Sequence, residues 1–72
     1  MISMMLRDDL KVIAQRIPHQ SRVLDLGCGD GSLIKWLEHK KACKCYGVEI
    51  SADKVLQCME KKVNVIQADI EE

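Results

Sequence analysis

Apolar residues recur along this chain with two spacings, and the alternation between them predicts its elements. Over residues 6 to 17, Leu6, Leu10, Ile13, Ala14 and Ile17 fall on one helical stripe, with Arg7, Asp9, Lys11 and Arg16 opposite. Asp8 and Asp9 suit the first turn, where carboxylates meet the positive end of the helix dipole. Pro18 ends the helix and His19, Gln20 and Ser21 form a turn. This helix is expected to cover one face of a sheet; closing as a lid over a ligand is the alternative. Arg22–Leu26 then reads as a buried parallel strand. Residues 31 to 39 return to helical spacing, with Leu33, Ile34 and Leu37 inward and Trp36 at the edge of that face. The basic residues His39, Lys40, Lys41 and Lys44 mark a solvated connection to a second strand over residues 44 to 48. Ser51 is a good N-cap for a third helix, with Asp53 in its first turn, burying Val55, Leu56 and Met59 and stopping near Lys61 or Lys62. A third strand spans residues 63 to 67. The expected fold is α/β: a leading helix, then β-α-β-α-β with two right-handed crossovers and three parallel strands.

Length and composition narrow this picture. Seventy-two residues make one small domain at most, in a size range where only about 60% of the unfolded surface is buried. Trp36 and Tyr46 are the only aromatics, so the core is aliphatic. Eleven basic and eleven acidic residues cancel, which leaves no electrostatic footprint for nucleic acid or an anionic membrane. The sequence has neither a membrane-spanning apolar run nor a signal-peptide core, and a cytoplasmic protein is expected. Cys28, Cys43, Cys45 and Cys58 do not stand at zinc-ligand spacing with either histidine, so free thiols and no metal are expected.

The chemistry concentrates between the first strand and the second helix. Glycine occupies every second position there, at Gly27, Gly29 and Gly31. Such a loop brings bare main chain to the carboxyl end of a strand and the start of a helix, where open α/β sheets place their ligands. A glycine loop alone does not say which ligand. Asp25 and Asp30 flank this one, and close like charges at low effective dielectric repel by about several kcal/mol, which disfavours a pyrophosphate. Ser32 also stands where a dinucleotide loop carries its third glycine. A cationic ligand without phosphate, such as S-adenosylmethionine, fits better than a dinucleotide.

Further acids support this reading. Glu49 ends the second strand, 22 residues after Gly27, where a Rossmann-like unit places the carboxylate that accepts from ribose hydroxyls. Asp69 follows the third strand. Three successive strands therefore end at or beside Asp25, Glu49 and Asp69.

The runs VLDLGCGDG, YGVEI and NVIQADI resemble the first half of class I S-adenosylmethionine-dependent methyltransferases. More narrowly, DDLKVIAQRIPHQSRVLDLGCGDGSL and VNVIQADIEE are similar to the MetW family linked to methionine biosynthesis, from Arg7 onward. The resemblance implies a Rossmann-like sheet in the order 3-2-1. It implies that Gly27, Gly29 and Gly31 lie under the cofactor and that Asp25 holds its amino group. Ile50 would pack on the adenine, Asp69 would receive the adenine amino group and Ile70 would add a main-chain contact. In such a sheet a fourth strand pairs with strand one. The expectation is therefore a partial methyltransferase domain over residues 1 to 72, with strand one's edge open to self-association. The groups that select a methyl acceptor usually follow strand four, so no catalytic residue is named. The resemblance also implies association with homoserine O-acetyltransferase, and with it a second reading: a non-enzymatic partner of that enzyme that keeps the methyltransferase fold.

Overall fold

Two right-handed crossovers in the same direction put both helices on one side of a sheet, and the strands here are arranged in that way. The computed structural model describes residues 8–69; Leu6, Arg7 and Ile70 lie outside them. The elements are α1 (Asp8–Arg16), β1 (Arg22–Leu26), α2 (Ser32–Lys41), β2 (Lys44–Glu49), α3 (Ala52–Glu60) and β3 (Val65–Gln67). The strands are parallel in the order β1-β2-β3, the expected 3-2-1 read from the opposite edge. Arg22 pairs with Lys44, Leu26 with Val48 and Glu49 with Gln67, so all three carboxyl ends share one rim.

The core lies between that sheet and the helices. Ala14 of α1, Ile34 and Leu37 of α2, Cys45 of β2, Cys58 of α3 and the flanking Val63 are buried together. Ile34 and Leu37 are fully covered, each contributing about 1.5–3 kcal/mol of transfer free energy. The leading helix covers this side, with Leu10 and Ile17 packed on the core. Lys41 joins α2 to the end of α1: its ammonium donates to the Gln15 carbonyl at 3.0 Å and the Ile17 carbonyl at 2.6 Å. That cation at a helix C-terminus satisfies carbonyls with no intrahelical partner. The helix that holds it runs two residues beyond the expected His39 and stops at Ala42, in the left-handed region at φ 52°.

Two expectations are corrected. Strand β1 is not buried on both faces, because α1, α2 and α3, the described helices, lie on one side of the sheet. Leu24 (65% exposed), Leu26, Tyr46 and Ile66 form an apolar stripe on the other side. In α3, Ser51 caps as expected, accepting from the Lys54 N–H at 3.4 Å, but Leu56 and Met59 are exposed and Cys58 is the buried residue. The space opposite the glycine loop admits a thiol, and this sets the roll of the helix. The stripe Val55–Cys58 turns inward and the neighbouring stripe turns out.

Candidate functional site

The glycine loop is built on β2. Gly27 and Cys28 both donate their N–H groups to the Val48 carbonyl, at 2.7 and 3.1 Å, and Gly31 donates to the Cys28 carbonyl at 3.2 Å. Gly29 is held at both ends of its peptide units. Its N–H donates to Glu49 Oε1 at 2.8 Å, and its carbonyl accepts from the Cys58 thiol at 3.1 Å. Gly29 sits at φ 59° and Gly31 at φ 83°, backbone that side-chain-bearing residues rarely adopt. A Cβ at Gly27 or Gly29 would meet nothing within 4 Å, so the loop offers bare main chain to open space. Gly31 differs: a Cβ there would lie 3.0 Å from Cys58 Sγ, and this glycine serves as the N-cap of α2.

Above the loop lies a cavity of about 530 Å³, lined by Leu10 and Ile13 of α1, by Asp25, and by Gly27, Cys28 and Gly29 among others. Its volume falls in the range of small-molecule sites, roughly 300–1,000 Å³. Asp25 is half-buried in its wall, and no described residue donates a hydrogen bond to its carboxylate. Burial pushes that carboxyl above its ordinary value. A half-buried carboxylate without a donor is costly, and a cationic ligand would offset that cost.

Glu49 is fixed at the rim. Oε1 accepts from Gly29 and Oε2 accepts from the Ser51 N–H at 2.9 Å. The Ser51 and Gly29 N–H groups hold its carboxyl below the usual range, so it is ionised at neutral pH. A carboxylate has about four lone-pair sites; Gly29 and Ser51 take one on each oxygen, and the Ile50 N–H also stands close enough to lower its pKa.

Asp30 is occupied locally. Its Oδ1 accepts from the Ser32 N–H at 3.0 Å, and Lys61 donates to its main-chain carbonyl at 3.1 Å while standing 3.8 Å from Oδ2. Burial raises its carboxyl, but the Ser32 hydrogen bonds and the Lys61 charge outweigh this and hold it low. Ile50 is exposed (59%) beside Glu49, and its carbonyl accepts from Gln67 Nε2 at 3.2 Å. Asp69 lies exposed just past β3 on the same rim, and Ile70 falls outside the described residues. The structure thus joins Asp25, Gly27 and Gly29 around the cavity, with Glu49 tied to Gly29. Ile50 and Asp69 stand on the rim, and Gly31 lies underneath.

Three residues had escaped sequence reasoning. Gly47 lies under the loop, where a Cβ would come 2.5 Å from Cys28 Sγ and 2.9 Å from Ile34 Cδ1; a glycine inside a strand is itself a sign of close backbone approach. Cys58 carries the bond to Gly29, and Lys54 reaches the cavity wall; neither has a sequence signal. All four cysteines are free and buried. Among the described residues, no cluster could hold a metal ion and no helix is long and apolar enough to cross a membrane.

This architecture is that of known methyltransferases. TrmK of M. capricolum, in complex with the cofactor product S-adenosyl-homocysteine, matches with a TM-score of 0.81 at 18% identity, over 90% of this chain and 33% of that one. Coclaurine N-methyltransferase, bound to N-methylheliamine and SAH, matches at 0.74 with 29% identity, over 89% and 22%. A SAM-dependent methyltransferase from Archaeoglobus fulgidus matches at 0.69 with 33% identity, over 85% and 27%. The chain spans about a third or less of the length of each of these structures. No curated protein matches the sequence. The profile of the family described as methionine biosynthesis protein MetW matches residues 7–72, through the glycine loop and all three strand-end acids, and the chain belongs to the MetW family.

Proposed function

We propose that this chain forms the S-adenosylmethionine-binding part of a methyltransferase-type protein. The observation that carries the reading is Asp25: an acid half-buried in a cavity wall, with no donor among the described residues, beside the bare main chain of Gly27 and Gly29. The ammonium of the methionyl group is the donor it lacks. Glu49, its oxygens oriented by two N–H groups, takes the ribose hydroxyls. Ile50 covers one face of the adenine, and Asp69 with Ile70 receives the adenine edge. Gly31 contributes by starting α2. Once bound, the cofactor supplies an electrophilic methyl group on a sulfonium, and the chain's own residues orient it, which is much of what such a transfer needs. The SAH held by matched structures of the same fold supports the choice of ligand.

Isothermal titration with S-adenosylhomocysteine tests this reading. Asp25→Asn and Glu49→Gln should each weaken binding by about tenfold or more, as loss of a charge-assisted hydrogen bond does. Wild-type affinity in both variants, or NAD displacing the nucleoside, would overturn it.

A second reading places the chain in methionine biosynthesis as a partner of homoserine O-acetyltransferase rather than as an enzyme. The family's description names methionine biosynthesis, though not the acetyltransferase, and the apolar stripe Leu24, Leu26, Tyr46 and Ile66 is a surface such a partner could cover. Light scattering of the two proteins together checks it: a stable complex without methyl transfer supports this reading, and two unassociated species refute it.

A further inference from the structure

Beneath the ligand loop, two thiols from distant parts of the chain face one another. Cys28 Sγ, from the loop, lies 3.8 Å from Cys58 Sγ of α3. Both neighbouring glycines make room for them: Gly47 leaves the space filled by Cys28 Sγ, and Gly31 the space beside Cys58 Sγ. The pair is asymmetric. Cys28 lines the cavity and is 9% exposed, whereas Cys58 is fully covered and donates to the Gly29 carbonyl.

We propose that Cys28 and Cys58 form an oxidisable pair that peroxide converts to a disulfide, cross-linking the ligand loop to α3. The Cys28 sulfur, ionised, attacks one peroxide oxygen. The O–O bond breaks, and the departing hydroxide leaves as water with the Cys28 proton. Cys28 is then a sulfenic acid. The Cys58 sulfur attacks it, the S–O bond breaks, and hydroxide takes up the Cys58 proton as a second water. Two S–H bonds become one S–S bond, and two electrons pass from the thiols to the peroxide. Each sulfur must move toward the other, since a disulfide spans about 2.05 Å. The Gly29 carbonyl loses its thiol donor in the process, and the loop seat changes.

The cavity gives small oxidants a path to Cys28 alone, so Cys28 reacts first and Cys58 resolves. Burial and the adjoining Cys58 thiol push the Cys28 thiol up to about 12. Thiolate is therefore scarce at neutral pH, and the rate should climb about tenfold per pH unit over the neutral to mildly alkaline range. Cys43 and Cys45, though buried, do not line the cavity.

The test treats the reduced protein with hydrogen peroxide and follows intact mass without reductant. The expected result is a loss of about 2 Da, with a non-reducing digest linking the peptides of Cys28 and Cys58. Cys58→Ser should abolish the mass loss and leave a sulfenic acid at Cys28 that dimedone traps. Cys45→Ser should leave the linkage intact. A native linkage through Cys43 or Cys45, or direct over-oxidation of Cys28 in the wild type without any linkage, would overturn the proposal. Saturating S-adenosylhomocysteine should slow the linkage at least tenfold, and this arm alone rests on the proposed ligand. Calorimetry separates the two: linkage with no ligand binding sustains the thiol pair and sinks the cofactor reading, and unchanged oxidation under proven saturation refutes the cavity as the oxidant's path.

Discussion

Replacing Gly47 by alanine probes the contact on which the ligand loop rests. The added Cβ would stand 2.5 Å from Cys28 Sγ, 2.9 Å from Ile34 Cδ1 and 3.0 Å from Cys28 Cβ. None of the three can retreat freely, because Ile34 is fully buried and Cys28 lies against Cys58. Inserting a methyl into a packed core costs about 1–3 kcal/mol. Restricting the unfolded backbone returns about 0.4–1 kcal/mol, as Gly47 has an ordinary strand φ. The two ranges leave about 0–2.6 kcal/mol, and a 2.5 Å contact puts Gly47→Ala in the upper half, near 4–8 °C for each kcal/mol in a domain of this size. Cys28→Ala removes the tightest of the three contacts at its own cost of about 1 kcal/mol. The double variant should then be more stable than the sum of the singles by about 0.5–1 kcal/mol. Urea denaturation followed by circular dichroism measures all four proteins, with unchanged m values licensing the comparison. Additivity within about 0.3 kcal/mol, or a Gly47→Ala protein as stable as wild type, would show that the loop does not rest on β2 as described.

Asp25→Asn should move stability and binding in opposite directions. Because burial raises the Asp25 carboxyl, its contribution to stability is present in full below its unfolded value of 3.8 and is lost as pH rises through the higher folded value. The asparagine variant escapes that loss, so its unfolding midpoint should exceed the wild type's by a margin that opens above pH 3.8, while S-adenosylhomocysteine binding falls. A variant that is both less stable and equally good at binding contradicts the site. Glu49 behaves in the opposite sense: its lowered carboxyl contributes stability above the unfolded value of 4.5 that is lost as pH falls through the folded one. Glu49→Gln should flatten the acid limb of a thermal-melt series, and an unaltered limb would mean that the Gly29 and Ser51 bonds do not form. Leu37→Ala, at a fully covered position, should cost about 2–5 kcal/mol. Leu56→Ala, at an exposed one, should stay within about 0.5 kcal/mol by the same urea titration, and equal losses would reverse the assigned roll of α3.

Local chemistry carried much of this protein into view from its sequence. The glycine loop, the Ser51 cap, the switch between helical and strand spacing, and acids at three strand ends are each written in neighbouring residues. Handedness rules fix the sense of the two crossovers but allow more than one strand order; the order found here is the one implied by the likeness of VLDLGCGDG, YGVEI and NVIQADI to methyltransferases. Tertiary structure alone decided what depends on distant partners. Asp30 and Glu49 are both acids at the carboxyl rim of the sheet, yet Ser32 and Lys61 occupy the first, while Gly29 and Ser51 orient the second. Spacing marks Glu49 as a strand-end acid and Asp30 as a loop acid, but it does not say which donors fill either carboxylate. The roll of α3 is likewise decided in three dimensions: hydrophobicity favours Leu56 and Met59 inward, but the residue that meets Gly31, the Gly29 carbonyl and Cys28 is the Cys58 thiol. Helical period is a property of the chain, but the side chain that fits a gap is set by residues thirty positions away.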